Sequence, residues 1–533
     1  MELTRLIDAL SDPAAYPYPV EEVAVRQTHI SVVFLAGDFA YKVKKPVSLG
    51  FLDFSTLTNR RHFCDEEVRL NRRLAPAVYL GVVSLVRAAD GLKLEGKGEV
   101  VEWAVKMERL PPEATLEAHL LRGELTVAVV QNLARRIAAF HAGADAGTHI
   151  SEFGRFDVVA GNARENFAQA TPLVGTTLSP AVFERLTALT EEELTRLRPL
   201  IDDRAERDVP RDTHGDLHLD HVYLFPERPP RDDLVIIDCI EFNERFRFAD
   251  PVADMAFLAM DLAFHGRRDL ARAFAEAYFQ ASGDEGGRAL LPLYTAYRAA
   301  VRGKVEGLEL SQKEVPAAER AAALANARAH WLLALGELEE PDRRPCLVLV
   351  GGLPGAGKST LARGLAEQAG FAVIRSDVVR KELAAASGMS IGPSPFREGL
   401  YSAEWTERAY AECLARAEGL LFEGKRVLVD ASFSEDKRRR AFVEAAADMA
   451  VPAIFLLCRT ESDVVRERLA RRRGDASDAD WSIYLKAAAR WEAPSSFTRQ
   501  SLREVSSGGS PEEALGRALE VLYELDLLKD NGL

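Results

Sequence analysis

One string of eight residues limits what this chain can fold into more than any other: Gly352-Leu-Pro-Gly-Ala-Gly-Lys358-Ser359. It matches GxxxxGK[S/T]. It follows CLVLVGG, an apolar run rich in Val and Leu that reads as a buried parallel strand, and it precedes TLARGLAEQ, which reads as a helix. Glycines at that spacing let backbone N–H groups turn inward, and the helix start adds its partial positive charge, so the string predicts a phosphate cradle. Gly352, Gly355, Ala356, Gly357, Lys358, Ser359 and Thr360 are the expected nucleotide-binding residues. Lys358 reaches the β/γ-phosphates and Ser359 serves Mg²⁺.

Two further strand ends belong with this cradle. FAVIRSD ends at Asp377, with Arg380 one helical turn on, and RVLVDAS ends at Asp430. Strand C-termini of a parallel sheet face the ligand crevice. Asp430 therefore suits a hold on Mg²⁺, and Asp377 suits a general base on a substrate hydroxyl beside Arg380. The plainer reading of Asp377 is the N-cap of the next helix, and the two roles are compatible. RERLARRRGDASD, at 466–478, is either a solvated helix face or a lid. In the lid reading Arg471 and Arg473 are candidates to close on the transferring phosphate.

At 533 residues the chain has room for three to four domains. A seam is visible at KEVPAAERAAALANARAHWLLALGELEEPDRRP, where an Ala-rich helical stretch gives way to an acidic, Pro-bounded linker near Glu340–Arg344. With 82 Asp and Glu against 68 Lys and Arg, the net charge of −14 argues against a bulk nucleic-acid or anionic-membrane binder. The five cysteines lack CxxC spacing, which points to neither a zinc site nor a disulfide framework. No signal peptide or bilayer-length apolar run is evident, so a cytoplasmic location is expected.

The first part of the chain carries a different set of signals. HISVVFLAGDFAYKVKKP, at 29–46, predicts two strands around a GD turn, and Lys42 lies on the second. Lys42, Lys44 and Lys45 also read as a charged edge strand. NRRHFCDEEVRLNRRLA, at 59–75, predicts a helix on which Glu67 lies beside the apolar marks Leu70 and Leu74. KMERLP, at 106–111, suits a connector. His214-Gly-Asp216-Leu-His218-Leu-Asp220-His221 is followed by a polar loop and LVIIDCIEF with Asp238. The order Lys, Glu, connector, HGD loop, Asp is the order of a protein-kinase-like fold. Asp250 and Asp254 suit helix capping and loop bracing. Arg298 and Arg302 share a helix face, for salt bridges or for an acidic substrate.

On these motifs residues 1–335 resemble the aminoglycoside phosphotransferase and choline-kinase branch of the kinase-like superfamily, whose mark is an HGDLHxxN loop. Residues 345–530 resemble the small P-loop kinases of the gluconate-kinase, zeta-toxin and polynucleotide-kinase group, through the phosphate loop and the string SDVVR. The whole chain resembles a bacterial family that fuses the two. The resemblance implies Asp216 as catalytic base, Asp238 as Mg²⁺ ligand and Lys42 as phosphate contact, with ATP or GTP as the nucleotide. One departure stands out. His221 occupies the position of the metal-binding Asn, and imidazole is a poorer match for Mg²⁺ than an amide oxygen. His218 and His221 read as a metal pair or as solvated or hydrogen-bonded side chains.

The expectation is a multidomain protein. Residues 1–110 form the N-lobe and 111–340 the helical C-lobe of an α+β kinase-like fold, and 345–533 form an α/β P-loop domain with a parallel sheet. The expected activity is ATP-dependent phosphorylation of hydroxyls on small molecules. The alternative is a first half that senses a ligand and regulates a P-loop kinase, possibly toxin-like.

Overall fold

The computed structural model describes residues 2–50, 52–89, 91–230, 232–310, 316–387, 402–471 and 480–529. They form two compact units. One comprises residues 1–161, 197–262 and 267–294; the other comprises 162–196, 263–266 and 295–533.

The first unit is built on an antiparallel sheet of six strands: β1 (Val23–Gln27), β2 (Ser31–Ala36), β3 (Phe39–Lys44), β4 (Tyr79–Ala88), β5 (Gly91–Leu94) and β6 (Glu99–Glu108). Their spatial order is β1-β2-β3-β6-β4-β5. Gly37, at φ +56°, makes the tight turn between β2 and β3. Side chains alternate across a strand. Tyr41 and Val43 of β3 join Val32, Phe34, Leu6 and Leu10 in one core, while Ala40 joins Cys64, Val68 and Val105 in another. Lys42 and Lys44 share the Ala40 face. β3 pairs with β2 and β6 on its two sides, so the edge-strand reading of its lysines is excluded. The helix Leu57–Asn71, capped by Thr56, lies on this face and carries Glu67 inward.

The rest of this unit is mainly helical. The helices are interrupted by the HGD loop, followed by an antiparallel hairpin of β7 (Val222–Leu224) and β8 (Leu234–Ile236). Asp238 lies just past β8. The buried Arg204 pairs with Asp250 at 2.6 Å and with Asp284 at 2.7 Å, tying the segment after the hairpin to the helical core.

The second unit contains a parallel sheet of five strands: β9 (Cys346–Gly351), β10 (Ala372–Arg375), β11 (Arg426–Asp430), β12 (Ala453–Arg459) and β13 (Leu502–Ser506). The order is β10-β11-β9-β12-β13. Every residue of β9 is buried, as its unbroken apolar run requires of a central strand covered on both faces. Leu361, Leu365, Ala518 and Leu522 from two helices pack on Val348, Val350 and Leu456. β10 stops at Arg375, so Asp377 sits in the first turn of the helix Ser376–Ala386 rather than at the strand end expected from FAVIRSD. Its side chain is not that helix's N-cap, a position taken by Arg375.

All five cysteines are free and buried. No described helix is long and apolar enough to cross a membrane.

Candidate active sites

In the first unit the HGD loop is held by its backbone. Gly215 adopts φ +86°, where an added Cβ would lie 2.8 Å from the Phe246 carbonyl oxygen. The N–H groups of His214 and Gly215 donate to the Asp254 carboxylate at 3.1 and 2.8 Å. His141 Nε2 lies 3.0 Å from the same group. Asp254 is fully buried and braces the loop. Asp216 is thereby presented with a partly open side chain, and His218 Nε2 lies 2.7 Å from its Oδ1. His218 is buried against Phe257, at 4.5 Å between rings, so it is a hydrogen-bonded residue.

Asp238, at φ +66°, turns its carboxylate toward the sheet, where Oδ1 lies 2.5 Å from Lys42 Nζ. Lys42 also meets Glu67 Oε1 at 3.0 Å. Lys42, Glu67, Asp216, His221 and Asp238, read from four separate stretches of sequence, thus converge. Burial disfavours ionisation of Asp238, but Lys42 foremost and then His221 outweigh it and hold its pKa below the ordinary value. His221 Nδ1 lies 2.8 Å from the Asp216 carbonyl oxygen, and Nε2 lies 3.8 Å from Asp238 Oδ2. Burial again opposes charge, yet Asp220, Asp216 and Asp238 hold the His221 pKa above its usual value.

The second unit encloses a cavity of about 960 Å³ between the phosphate loop and the helices that follow β10 and β11. Gly357 N-caps the helix Lys358–Ala369 at φ +91°, a left-handed conformation that glycine adopts without strain. Ala356 is buried, and its carbonyl accepts from Ser507 Oγ at 2.7 Å. Lys358 Nζ donates to the Leu353 carbonyl oxygen at 2.9 Å, across the loop. Ser359 Oγ donates to Asp430 Oδ2 at 2.6 Å, which places two hard oxygen donors together at the loop's end. Thr360, Asp377, Arg380 and Arg471 line the same cavity. Arg380 is buried and donates to Thr406 Oγ1 at 3.1 Å. Burial raises the pKa of Asp377 above the ordinary carboxylate value, against the pull of Arg380 and Lys358.

The arginine-rich segment divides. The Arg471 side chain is 83% exposed, with Glu467 at 3.6 Å, and Arg473 lies outside the described residues. Arg468, which the pattern did not single out, comes within 3.6 Å of the β-position of Gly357 and donates to the Ser507 carbonyl oxygen at 2.8 Å. Glu241 and Arg375 were equally unmarked in the sequence, and Lys44 read only as part of a charged edge strand. Lys44 and Glu241 join the Lys42–Glu67 cluster, and Arg375 reaches Asp430 at 3.3 Å. Arg298 is buried, and Arg302 faces Glu306 at 3.5 Å.

The donor chemistry decides how each site fits Mg²⁺. Ser359 and Asp430 suit an ion that keeps several waters and binds phosphate oxygens. In the first unit the Asp238 carboxylate suits it, whereas the imidazole of His221 is a poorer match for the ion than an amide oxygen. Among the described residues no group of three or more His, Cys, Asp or Glu is placed to hold a metal ion by itself.

A kinase-like half with an antiparallel sheet and a half with a P-loop on a parallel sheet define a phosphotransferase of two kinase-type domains. Comparison with known families agrees. Residues 54–294 match the model described as "Phosphotransferase enzyme family", and residues 347–494 match the model described as "AAA domain". Proteins of Mycobacterium tuberculosis and Mycobacterium bovis, each described as uncharacterized, are 33% identical to this chain over 517 residues, covering 96% of it and 98% of them. The chain belongs to the family of these proteins, and in this chain a phosphotransferase-type domain precedes a P-loop kinase-type domain. Among solved structures, the GDP complex of wild-type aminoglycoside 2′-phosphotransferase-IIIa is 15% identical and covers 59% of this chain and 94% of that one, with a TM-score of 0.38. A sugar kinase from Janibacter sp. HTCC2649 is 18% identical and covers 35% of this chain and 99% of that one, with a TM-score of 0.27.

Proposed function

We propose that this protein transfers the terminal phosphoryl group of ATP or GTP to hydroxyl groups of small molecules at two separate sites, one in the 1–340 kinase-like domain and one in the 345–533 P-loop domain. The supporting observation is the presence of two unlike phosphate-handling constellations, each complete within its own compact unit. A composite site would need only one.

At the first site Asp216 accepts the acceptor's hydroxyl proton, with His218 orienting it through Oδ1. Lys42, steadied by Glu67, contacts phosphate, and Asp238 holds Mg²⁺. At the second site the loop N–H groups and Lys358 bind phosphate, and Ser359 with Asp430 hold the ion. Asp377 takes the hydroxyl proton, Arg380 orients the acceptor, and Arg468 supports the lid side of the cradle. Bound Mg²⁺ neutralises the charge that develops on the transferring group. Equilibrium binding tests this reading: two nucleotides per full-length chain are expected, and Asp238→Asn and Lys358→Ala each remove one. A single site per chain overturns it.

Asp377→Asn should retain nucleotide affinity yet slow second-site transfer by roughly 10²–10⁴-fold, the usual cost of losing a general base. The folded-state pKa of Asp377 lies above its unfolded value. Its contribution to stability is therefore complete below the unfolded pKa and lost as pH rises through the folded one. The neutral isostere is accordingly expected to melt no lower than the parent at neutral pH, and parent turnover should fall as acid protonates the base. Loss of nucleotide affinity in Asp377→Asn, read by titration, contradicts the base role.

His221 supports a second reading, in which the first domain senses a ligand rather than turning it over. Formation of phosphorylated product at the first site with ATP and Mg²⁺ separates the two, and His221→Asn then tests the role of the imidazole. An active kinase keeps or gains Mg²⁺-dependent turnover, because the amide oxygen suits the ion better than imidazole. Collapse of turnover under both Mg²⁺ and Mn²⁺ shows that the imidazole is essential.

A further inference from the structure

A kinase-like lobe needs one lysine paired with one glutamate. This lobe sets two lysines on one face of β3, Lys42 half-buried and Lys44 buried, and Glu67 divides its carboxylate between them. Oε1 lies 3.0 Å from Lys42 Nζ, and Oε2 lies 2.7 Å from Lys44 Nζ. Lys44 then pairs with Glu241, three residues past Asp238. The side chains of Lys44, Glu67 and Glu241 are 1%, 0% and 4% exposed, so water screens none of them. Each charge in this row depends on its neighbours, because a buried charge stripped of its partner is strongly unfavourable.

Besides the Ile240 N–H bond to the His214 carbonyl oxygen and the contacts of Arg247 with Ile240 and of Arg73 with Cys239, four grips hold the segment from Asp238 to Glu241. Asp238 meets Lys42 at 2.5 Å. The Asp238 N–H donates to Tyr79 Oη at 3.2 Å, and the Cys239 N–H donates to Asn71 Oδ1 at 2.9 Å. Glu241 meets Lys44. Binding of a Mg²⁺-nucleotide would disturb the first grip, since Lys42 would turn to phosphate and Asp238 would hold the ion. Among the other three, Lys44 alone holds Glu67 and Glu241 at once, joining the Glu67 helix and the metal-binding segment to β3. Without Lys44, two buried carboxylates would share Lys42 and draw it away from phosphate.

We propose that Lys44 and Glu241 are positioning residues for the first phosphotransferase site, a second buried Lys–Glu pair that holds Glu67 and the Asp238 segment in register while Lys42 exchanges Asp238 for phosphate. The inference rests on the reading of this site as one for a Mg²⁺-nucleotide. The test uses the full-length chain carrying Lys358→Ala, which disables the second cradle. Binding of ATP is measured by calorimetry with Mg²⁺ and with EDTA, alongside the melting temperature, for this parent and for Lys44→Met, Lys44→Arg and Glu241→Gln on it. Lys44→Met and Glu241→Gln are expected to weaken binding in Mg²⁺ by roughly 10–100-fold, the range for partners that orient a metal ligand, with a much smaller change in EDTA. Lys44→Arg, which keeps the charge, restores most of the loss. Equal losses in Mg²⁺ and EDTA, or a lower melting temperature at unchanged affinity, overturn the inference. Should Lys44→Met fail to fold, Glu241→Gln, which preserves shape and an acceptor oxygen, decides alone. A parent that binds no ATP overturns the first-site reading and this inference with it. A parent that binds, with variants indistinguishable from it, overturns the inference only.

Discussion

Asp216→Asn is expected to abolish first-site transfer, lowering turnover by roughly 10²–10⁴-fold, while that site still binds nucleotide. The structure makes this substitution close to a pure chemical change. The loop that carries Asp216 is held by the Asp254 carboxylate through the N–H groups of His214 and Gly215, and neither bond involves the Asp216 side chain. Asparagine can keep its Oδ1 at the 2.7 Å contact with His218 Nε2, so orientation survives while basicity is lost. Product analysis over a panel of sugars, amino alcohols and aminoglycosides reads the result, with second-site transfer as internal control. Undiminished turnover would place the base elsewhere. If the two reactions are consecutive, an unreacted substrate or an intermediate accumulates and shows which site acts first.

Lys358→Ala is expected to remove most second-site transfer, on the order of 10²–10³-fold, the usual cost of deleting a preorganised electrostatic contact to the reacting group. The loop does not owe its shape to this side chain. Its turns are made by Gly352, Gly355 and Gly357, all at positive φ, and the Ala356 carbonyl is held by Ser507. The melting temperature should therefore stay near that of the parent while nucleotide affinity falls. The first-site reaction should be untouched, since Lys42, Asp216 and Asp238 lie in the other compact unit. Equal loss of both reactions in Lys358→Ala would replace two sites with a single composite or regulated one.

Where chemistry is written in contiguous residues, it was legible. The phosphate loop is eight residues between an apolar strand and a helix, and its function resides in its own backbone, so no distant partner was needed to see it. The HGD loop and Asp238, at the two ends of one hairpin, were legible for the same reason. Asp377 marks the limit of such reading. Its place near a strand end was visible, but β10 stops two residues earlier, because element ends depend on which neighbours a strand pairs with.

The sequence alone thus determined the two phosphate-handling motifs, their order, and the parallel sheet that carries the second. Apolar periodicity and glycine spacing are local properties that survive any packing. Only the tertiary structure decided that Lys44 is a buried partner of Glu67 and Glu241. As a lysine on a strand it reads as solvated, and its two acidic partners lie 23 and 197 positions away. It likewise decided that Arg468, rather than Arg471, sits by the cradle, because helix Ser462–Arg471 turns one arginine onto the loop and leaves the other in solvent. A charge gains its role from what packs around it, and that neighbourhood is assembled from segments whose proximity no local pattern encodes.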